Sequence, residues 1–191
     1  MEILTDNQFK IDFEKYSYFI GKKQMVFVYP TDTIYGIGCN AEDDIAVQRI
    51  RNIKDRYTMP FSVIAPSKEW IFENCHVKEE DKQYLEKLPG PYTLIFNLKN
   101  KDCVSPLVNN ETETIGVRIP NHWISEYVAK LGKPLVTTSA NKMGENFMTS
   151  IEDLDVRIKT KVDFIVYEGE KTGRPSKVIN LVGEDVEVIS R

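Results

Sequence analysis

Two threonine hydroxyls and a phenol follow an apolar run in Pro30-Thr31-Asp32-Thr33-Ile34-Tyr35-Gly36-Ile37-Gly38. Hydroxyls at the end of a buried strand can bond a small polar ligand without adding net charge; a turn capped by Thr and Gly has the same composition. Lys54-Asp55-Arg56 lies just past a predicted helix end. Its cations either cap the helix dipole or clamp an anion, Arg as a planar fork and Lys as a point charge. Arg118 stands between Val117 and Ile119 in an apolar strand, so alternation turns it to the opposite face from them. A charge there needs a structural ion-pair partner or a solvated cleft. In Thr137-Thr138-Ser139-Ala140-Asn141, Ser139 and Asn141 are two apart and can face one ligand, unless the segment is a simple turn or N-cap. The fifth place is Gly173-Arg174-Pro175-Ser176-Lys177.

Three familiar devices are excluded by context. Gly36-Ile37-Gly38-Cys39-Asn40-Ala41 fits a dinucleotide fingerprint, but six residues separate it from the strand end at Tyr29, and Lys54 and Arg56 stand where a ribose-binding acid belongs. Gly169 to Gly173 lacks the G-K-[ST] of a phosphate loop. Ser139 is not in G-x-S-x-G, and the chain has only His76 and His122 to serve as a base, so a serine hydrolase is not the expectation.

These segments need a scaffold. Phe9 to Ile20, closed by Gly21, is predicted helical. Met25–Tyr29 and Phe61–Ala65 read as buried strands; Thr31 to Cys39 reads as a turn or short strand. Asp43-Asp44 can cap an amphipathic helix through Ile45, Val47, Ile50 and Ile53. Glu69 to Leu88 holds one or two helices, and Asn100 to Glu113 reads as a polar loop. Strands are predicted at Tyr92–Leu98, Thr114–Ile119, Leu135–Thr138, Val162–Tyr167, Lys177–Leu181 and Val186–Ile189, and helices at His122–Leu131 (closed by Gly132) and Ile151–Ile158. The irregular alternation favours a mixed sheet covered by helices over a strictly parallel wind.

At 191 residues the chain fits one domain, 1–191, with a core large enough to need no staple. Its net charge of −4 shows no basic face, so nucleic-acid binding is not the leading inference. Cys39, Cys75 and Cys103, odd in number and widely spaced, read as reduced thiols of a cytoplasmic protein, with a catalytic cysteine the minor alternative. The charged N-terminus is not a signal peptide, and no apolar run is long enough for a membrane helix.

Six motifs, in order, resemble the YrdC-like family of L-threonylcarbamoyladenylate synthases. They are Thr31-Asp32-Thr33-Ile34-Tyr35-Gly36 after Pro30, Lys54-x-Arg56, Gly90-Pro91-Tyr92-Thr93, Gly116-Val117-Arg118-Ile119-Pro120, Ser139-Ala140-Asn141 with Gly144, and Ser176 before Val178-Ile179-Asn180-Leu181. Met143, Lys177, Asn180 and Tyr57 depart from the family pattern, and the segment to Pro60 is one residue short.

The resemblance implies an α/β fold (α+β in some schemes), a twisted mixed sheet flanked by helices with a central concave pocket. It implies synthesis of threonylcarbamoyl-AMP from L-threonine, bicarbonate and ATP, with Mg²⁺ carried on the ATP phosphates and no protein metal site. It places Thr33, Tyr35, Arg118, Ser139 and Ser176 on L-threonine, and Lys54, Arg56, Asn141, Thr149 and Arg191 on ATP, with Lys54 and Arg56 as the catalytic cations. Implied partners are downstream enzymes that modify adenosine 37 of ANN-decoding tRNAs. The alternatives are an RNA-binding module without catalysis and a YciO-like paralogue with another acceptor.

Overall fold

The computed structural model describes residues 1–142, 144–183 and 185–189. The chain runs β1 (Glu2–Thr5), α1 (Asp6–Ile11), α2 (Phe13–Lys22), β2 (Phe27–Tyr29), β3 (Gly36–Gly38), α3 (Asp44–Lys54), β4 (Ser62–Ile64), α4 (Lys68–Asn74), α5 (Lys82–Leu85) and β5 (Tyr92–Asn97). It continues with α6 (Pro106–Asn109), β6 (Thr114–Arg118), α7 (Ile124–Leu131), β7 (Leu135–Ser139), α8 (Val156–Lys159), β8 (Phe164–Tyr167), β9 (Lys177–Asn180) and β10 (Glu187–Ile189).

The strands form one mixed ten-stranded sheet in the order β1-β8-β2-β3-β7-β4-β6-β5-β9-β10. β8 is parallel to both β1 and β2, β4 to β6, and β5 to β9, while the remaining pairs are antiparallel. Strand alternation divides the core. Phe27, Tyr29, Ile64, Leu135, Phe164 and Val166 face one side, where α1, α2 and α7 supply Phe9, Tyr16, Ile20, Ile124 and Val128. Val26, Val28, Val63, Val117, Val136 and Ile165 face the other, under Ala46, Val47, Ile50 and Ile53 of α3. That helix starts as its sequence predicts, with the Asp43 side chain accepting from the Ala46 N–H at 3.0 Å.

Several expectations are corrected. The helix expected over 9–20 is two helices: Thr5 and Gln8 form a capping box that starts α1, and the chain breaks at Asp12. The helix expected over 151–158 is only Val156–Lys159, capped by Asp155, preceded by turns that bury Leu154. The segment expected to be a polar loop, 100–113, contains a 3-10 turn and α6 and buries Cys103, Val104 and Val108. β1 was not expected; it is a mostly exposed edge strand that exists by pairing with β8.

β8 is second in the sheet and β9 ninth, yet only residues 168–176 join them. Seven inter-strand steps of about 4.8 Å span about 34 Å on a flat sheet, close to the full reach of nine residues. The connection is therefore an extended strap, with no helix or strand of its own, drawn across the face that also carries the site.

Candidate active site

A cavity of about 140 Å³ opens on the side of the sheet that Leu135, Thr137 and Ser139 share with Ser62 and Arg118. Its walls come from the turn after β2, the starts of β3 and β4, the end of β7, Arg56 beyond α3, and Pro175 and Ser176 of the strap. Gly116 lies against two lining side chains: a Cβ there would sit 2.5 Å from Ser62 Oγ and 3.3 Å from Thr93 Cγ2. The lining is dominated by hydroxyls and two guanidinium groups, with no His or Cys.

The hydroxyls are pre-oriented. Thr31 Oγ1 donates to the Ile34 carbonyl at 2.7 Å and lies 3.0 Å from Thr33 Oγ1, which accepts from Arg118 Nη2 at 3.3 Å. Thr93 and Ser176 pair through their hydroxyls at 2.8 Å. Arg118 is 5% exposed. It donates through Nη2 to Asp32 Oδ1 at 2.6 Å, and the other Asp32 oxygen accepts from the Asn121 N–H at 2.9 Å. Burial lowers the Arg118 pKa and Asp32 partly restores it, so the guanidinium remains charged. Its Nε is buried and has no hydrogen-bond partner among the described residues.

Arg56 is carried on a loop built by a second arginine. Arg51, 2% exposed, donates to the carbonyls of Leu107, Arg56, Tyr57 and Met59 at 2.5–3.2 Å. Arg56 then donates to the Pro60 carbonyl at 2.7 Å and to Thr138 Oγ1 at 3.4 Å, over the Phe61 ring.

Of the residues singled out by sequence, Thr33, Tyr35, Arg56, Arg118, Ser139 and Ser176 line the cavity together. Tyr35 lines it while its ring packs in the larger core cluster; its hydroxyl donates to the Gly169 carbonyl at 2.6 Å and accepts from the Glu168 N–H at 3.1 Å, and burial raises its pKa to about 12. Ser139 Oγ donates to Asn141 Oδ1.

Lys54 and Asn141 are not on the wall but behind it. The Lys54 ammonium is buried under the 139–141 turn, bonding the Ser139 carbonyl at 2.5 Å, the Asn141 carbonyl and Asn141 Oδ1. Burial, reinforced by the Arg56 charge, pushes its pKa down to about 7. Thr149 is outside the cavity, its hydroxyl bonding Asp153. Arg191 lies outside the described residues, as does Met143.

The structure adds residues that the motifs left without a role. Asp32 and Thr93 were inside quoted motifs but had no assigned partner. Arg51 precedes Lys54-x-Arg56 by three residues and reads as an ordinary helix cation until its carbonyl partners are seen. Cys39, Cys75 and Cys103 are buried free thiols away from the cavity, and burial raises all three pKa values. No group of three or more His, Cys, Asp or Glu that could hold a metal occurs among the described residues, and none of their helices is long and apolar enough to cross a membrane.

Comparison with known proteins identifies the family and the fold. The Sua5/YciO/YrdC family model, which carries the description "Telomere recombination", matches residues 20–191. A Methanocaldococcus jannaschii relative carrying the name "Putative threonylcarbamoyl-AMP synthase" is 35% identical over 168 residues, covering 86% of this chain and 77% of its own. The structure of Sua5 from P. abyssi complexed with L-threonine aligns with TM-score 0.85 and 27% identity over 98% of this chain, which spans 56% of that one. The structure of E. coli YciO aligns with TM-score 0.85 and 26% identity over 100% of this chain and 94% of that one. Six motifs in family order, a mixed sheet of the same architecture and a match over most of its length place this chain in the Sua5/YciO/YrdC family.

Proposed function

We propose that this protein is an enzyme that makes L-threonylcarbamoyl-AMP from L-threonine, bicarbonate and ATP. The threonine amine condenses with bicarbonate, losing water, to give a carbamate. A carbamate oxygen then attacks the α-phosphorus of ATP, and pyrophosphate leaves with the electrons of the broken P–O bond. Bicarbonate, the carbamate and ATP are anionic and threonine carries a carboxylate beside its reacting amine, so the reaction needs fixed cations and orientation more than a covalent nucleophile.

The observation that carries this reading is the cavity itself, in which Arg118 and Arg56 stand among hydroxyls. Its volume is well below the ~300–1,000 Å³ of sites for drug-sized ligands, which suits a free amino acid. Arg118, with its spare Nε, binds the threonine carboxylate, while Thr33, Tyr35, Ser139 and Ser176 shape the space around it. The nucleotide extends out past Arg56, which meets its phosphates. Lys54 and Asn141 act from behind, fixing the 139–141 turn; Thr149 and Arg191 are assigned to ATP by the family resemblance alone. Among the described residues no carboxylate lines the cavity, and Asp32 beside it is already held by Arg118, so Mg²⁺ enters with the ATP phosphates as part of the substrate. The product passes to enzymes that modify adenosine 37 of tRNA.

Pyrophosphate should appear only when threonine, bicarbonate and ATP are all present, and Arg56→Ala should abolish it with the fold intact. A folded protein that binds threonine yet releases none would overturn the reading. The full-length match to E. coli YciO favours a second one, the same chemistry with another acceptor; ATP consumption supported by a different amine and not by threonine would select it.

A further inference from the structure

Three segments that build the cavity meet outside it at one residue. Glu168, the first residue of the strap, accepts from His122 Nε2 at 2.9 Å and from Trp123 Nε1 at 2.7 Å, both in the turn that leaves the Arg118 strand. It pairs with Lys171, three residues along the strap, at 2.6 Å. Its own N–H donates to the hydroxyl of Tyr35, the cavity-wall residue of the third segment. Burial would raise the Glu168 carboxyl, but these bonds outweigh it and hold it at about 2, so it is ionised throughout the physiological range. The same three segments are tied again nearer the ligand: Asp32 bonds Arg118 and Asn121, and Gly173 of the strap is packed against the Thr33 carbonyl. Glu168 itself is not part of the cavity lining. A carboxylate with three side-chain donors drawn from two segments fixes their separation in a way a single hydrogen bond does not.

We propose that Glu168 is a positioning residue for the amino-acid substrate, a latch that holds the strap at the distance from Arg118 and Thr33 at which Ser176 and Arg118 can engage one ligand together. This rests on the reading of the cavity as the amino-acid site. Occupancy of the cavity and the environment of Trp123 are then coupled, because the indole is bonded to the residue that sets the strap. The chain has only two tryptophans, so a Trp70→Phe background leaves Trp123 as the sole tryptophan, read by excitation at the red edge where its tyrosines do not absorb.

The experiment is an L-threonine titration of the full chain, followed by calorimetry and by Trp123 emission, for the Trp70→Phe protein with and without Glu168→Gln. The expected result is a threonine-dependent change in emission in the parent, with threonine affinity about tenfold weaker and the emission change lost in Glu168→Gln. In turnover, KM for threonine should rise by a similar factor while KM for ATP stays nearly constant, a split that general loosening of the fold does not produce. Glu168→Asp, which keeps the charge, should recover part of the affinity. If the parent binds no threonine, the functional reading fails. If the parent binds threonine and folded Glu168→Gln binds it equally well, or with the same emission change, the latch is overturned. Should Glu168→Gln not fold, Lys171→Met removes one arm of the latch and must weaken threonine binding for the proposal to stand.

Discussion

Gly173 offers the sharpest test of how closely the strap must approach the turn after β2. Its φ is not in the left-handed region, so glycine is required there by contact and not by backbone conformation. A Cβ built on Gly173 would lie 2.0 Å from the Thr33 carbonyl oxygen and 2.9 Å from its carbon. Ordinary Cβ contacts do not fall below 3.0 Å, and the opposing atoms are backbone, so no side chain can swing away. Gly173→Ala therefore has to separate the strap and the Thr31–Thr33 turn by about 1 Å. The turn resists, since Asp32 is bonded to Arg118 and Asn121, so the strap gives, carrying Ser176 with it. Overpacking of this kind costs about 1–3 kcal/mol, and the low end applies because the strap has no regular structure to disrupt. The functional cost is larger: a misplacement of about 1 Å in a positioning element can cost roughly 100-fold. We expect Gly173→Ala to melt only a few degrees below the wild type while kcat/KM for threonine in pyrophosphate release falls by about two orders of magnitude. A variant with wild-type kcat/KM would refute the reasoning, since it would mean that the strap can retreat without consequence.

Two further predictions concern the cations behind the wall. The Lys54 pKa falls from 10.5 to about 7 on folding, so between those values the unfolded chain binds more protons and stability rises with pH, by at most about 1.4 kcal/mol per pH unit. Denaturant unfolding of wild type and Lys54→Met at pH 7, 8 and 9 should show this slope only in the wild type; parallel curves would exclude it. Arg51→Met removes the buried donor shared by the Leu107, Arg56, Tyr57 and Met59 carbonyls, and should cost about 3 kcal/mol or more in urea unfolding. Because Arg56 rides on that loop, the KM for ATP should also rise; a KM left at the wild-type value would show that Arg56 is placed independently of Arg51.

What could be read from the sequence was what is local. An apolar run stopped by Pro30, an acid before an amphipathic helix and a glycine after one each specify their element within a few residues, and β2, α3 and α7 form there. The elements that were misread depend on distant partners. β1 has only Leu4 buried and is a strand because β8 lies beside it. Val108 is buried because it packs in the larger core cluster, which polar neighbours on both sides conceal. The site divides the same way. Arg118 was conspicuous as a charge among aliphatic residues, and of the two outcomes left open for it, ion pair or cleft, the structure shows both. Its partner Asp32 is 86 positions away, and no spacing rule connects them.

That double role has a physical basis. A guanidinium sealed into a protein without an anion would shed several kcal/mol of hydration uncompensated, so an unliganded site cannot keep its cations bare. Arg118 is held by resident partners that use only part of its hydrogen-bonding capacity. Asp32 and Thr33 take Nη2 and leave Nε without a partner among the described residues. An arriving carboxylate can therefore add to this cation without displacing what holds it, while Arg56 is oriented by the Pro60 carbonyl and Thr138 Oγ1. Lysine has no such fork: the single ammonium of Lys54 is already spent on the 139–141 turn. The geometry of the donors, more than the count of charges, decides which cations can face the ligand and which must stand behind them.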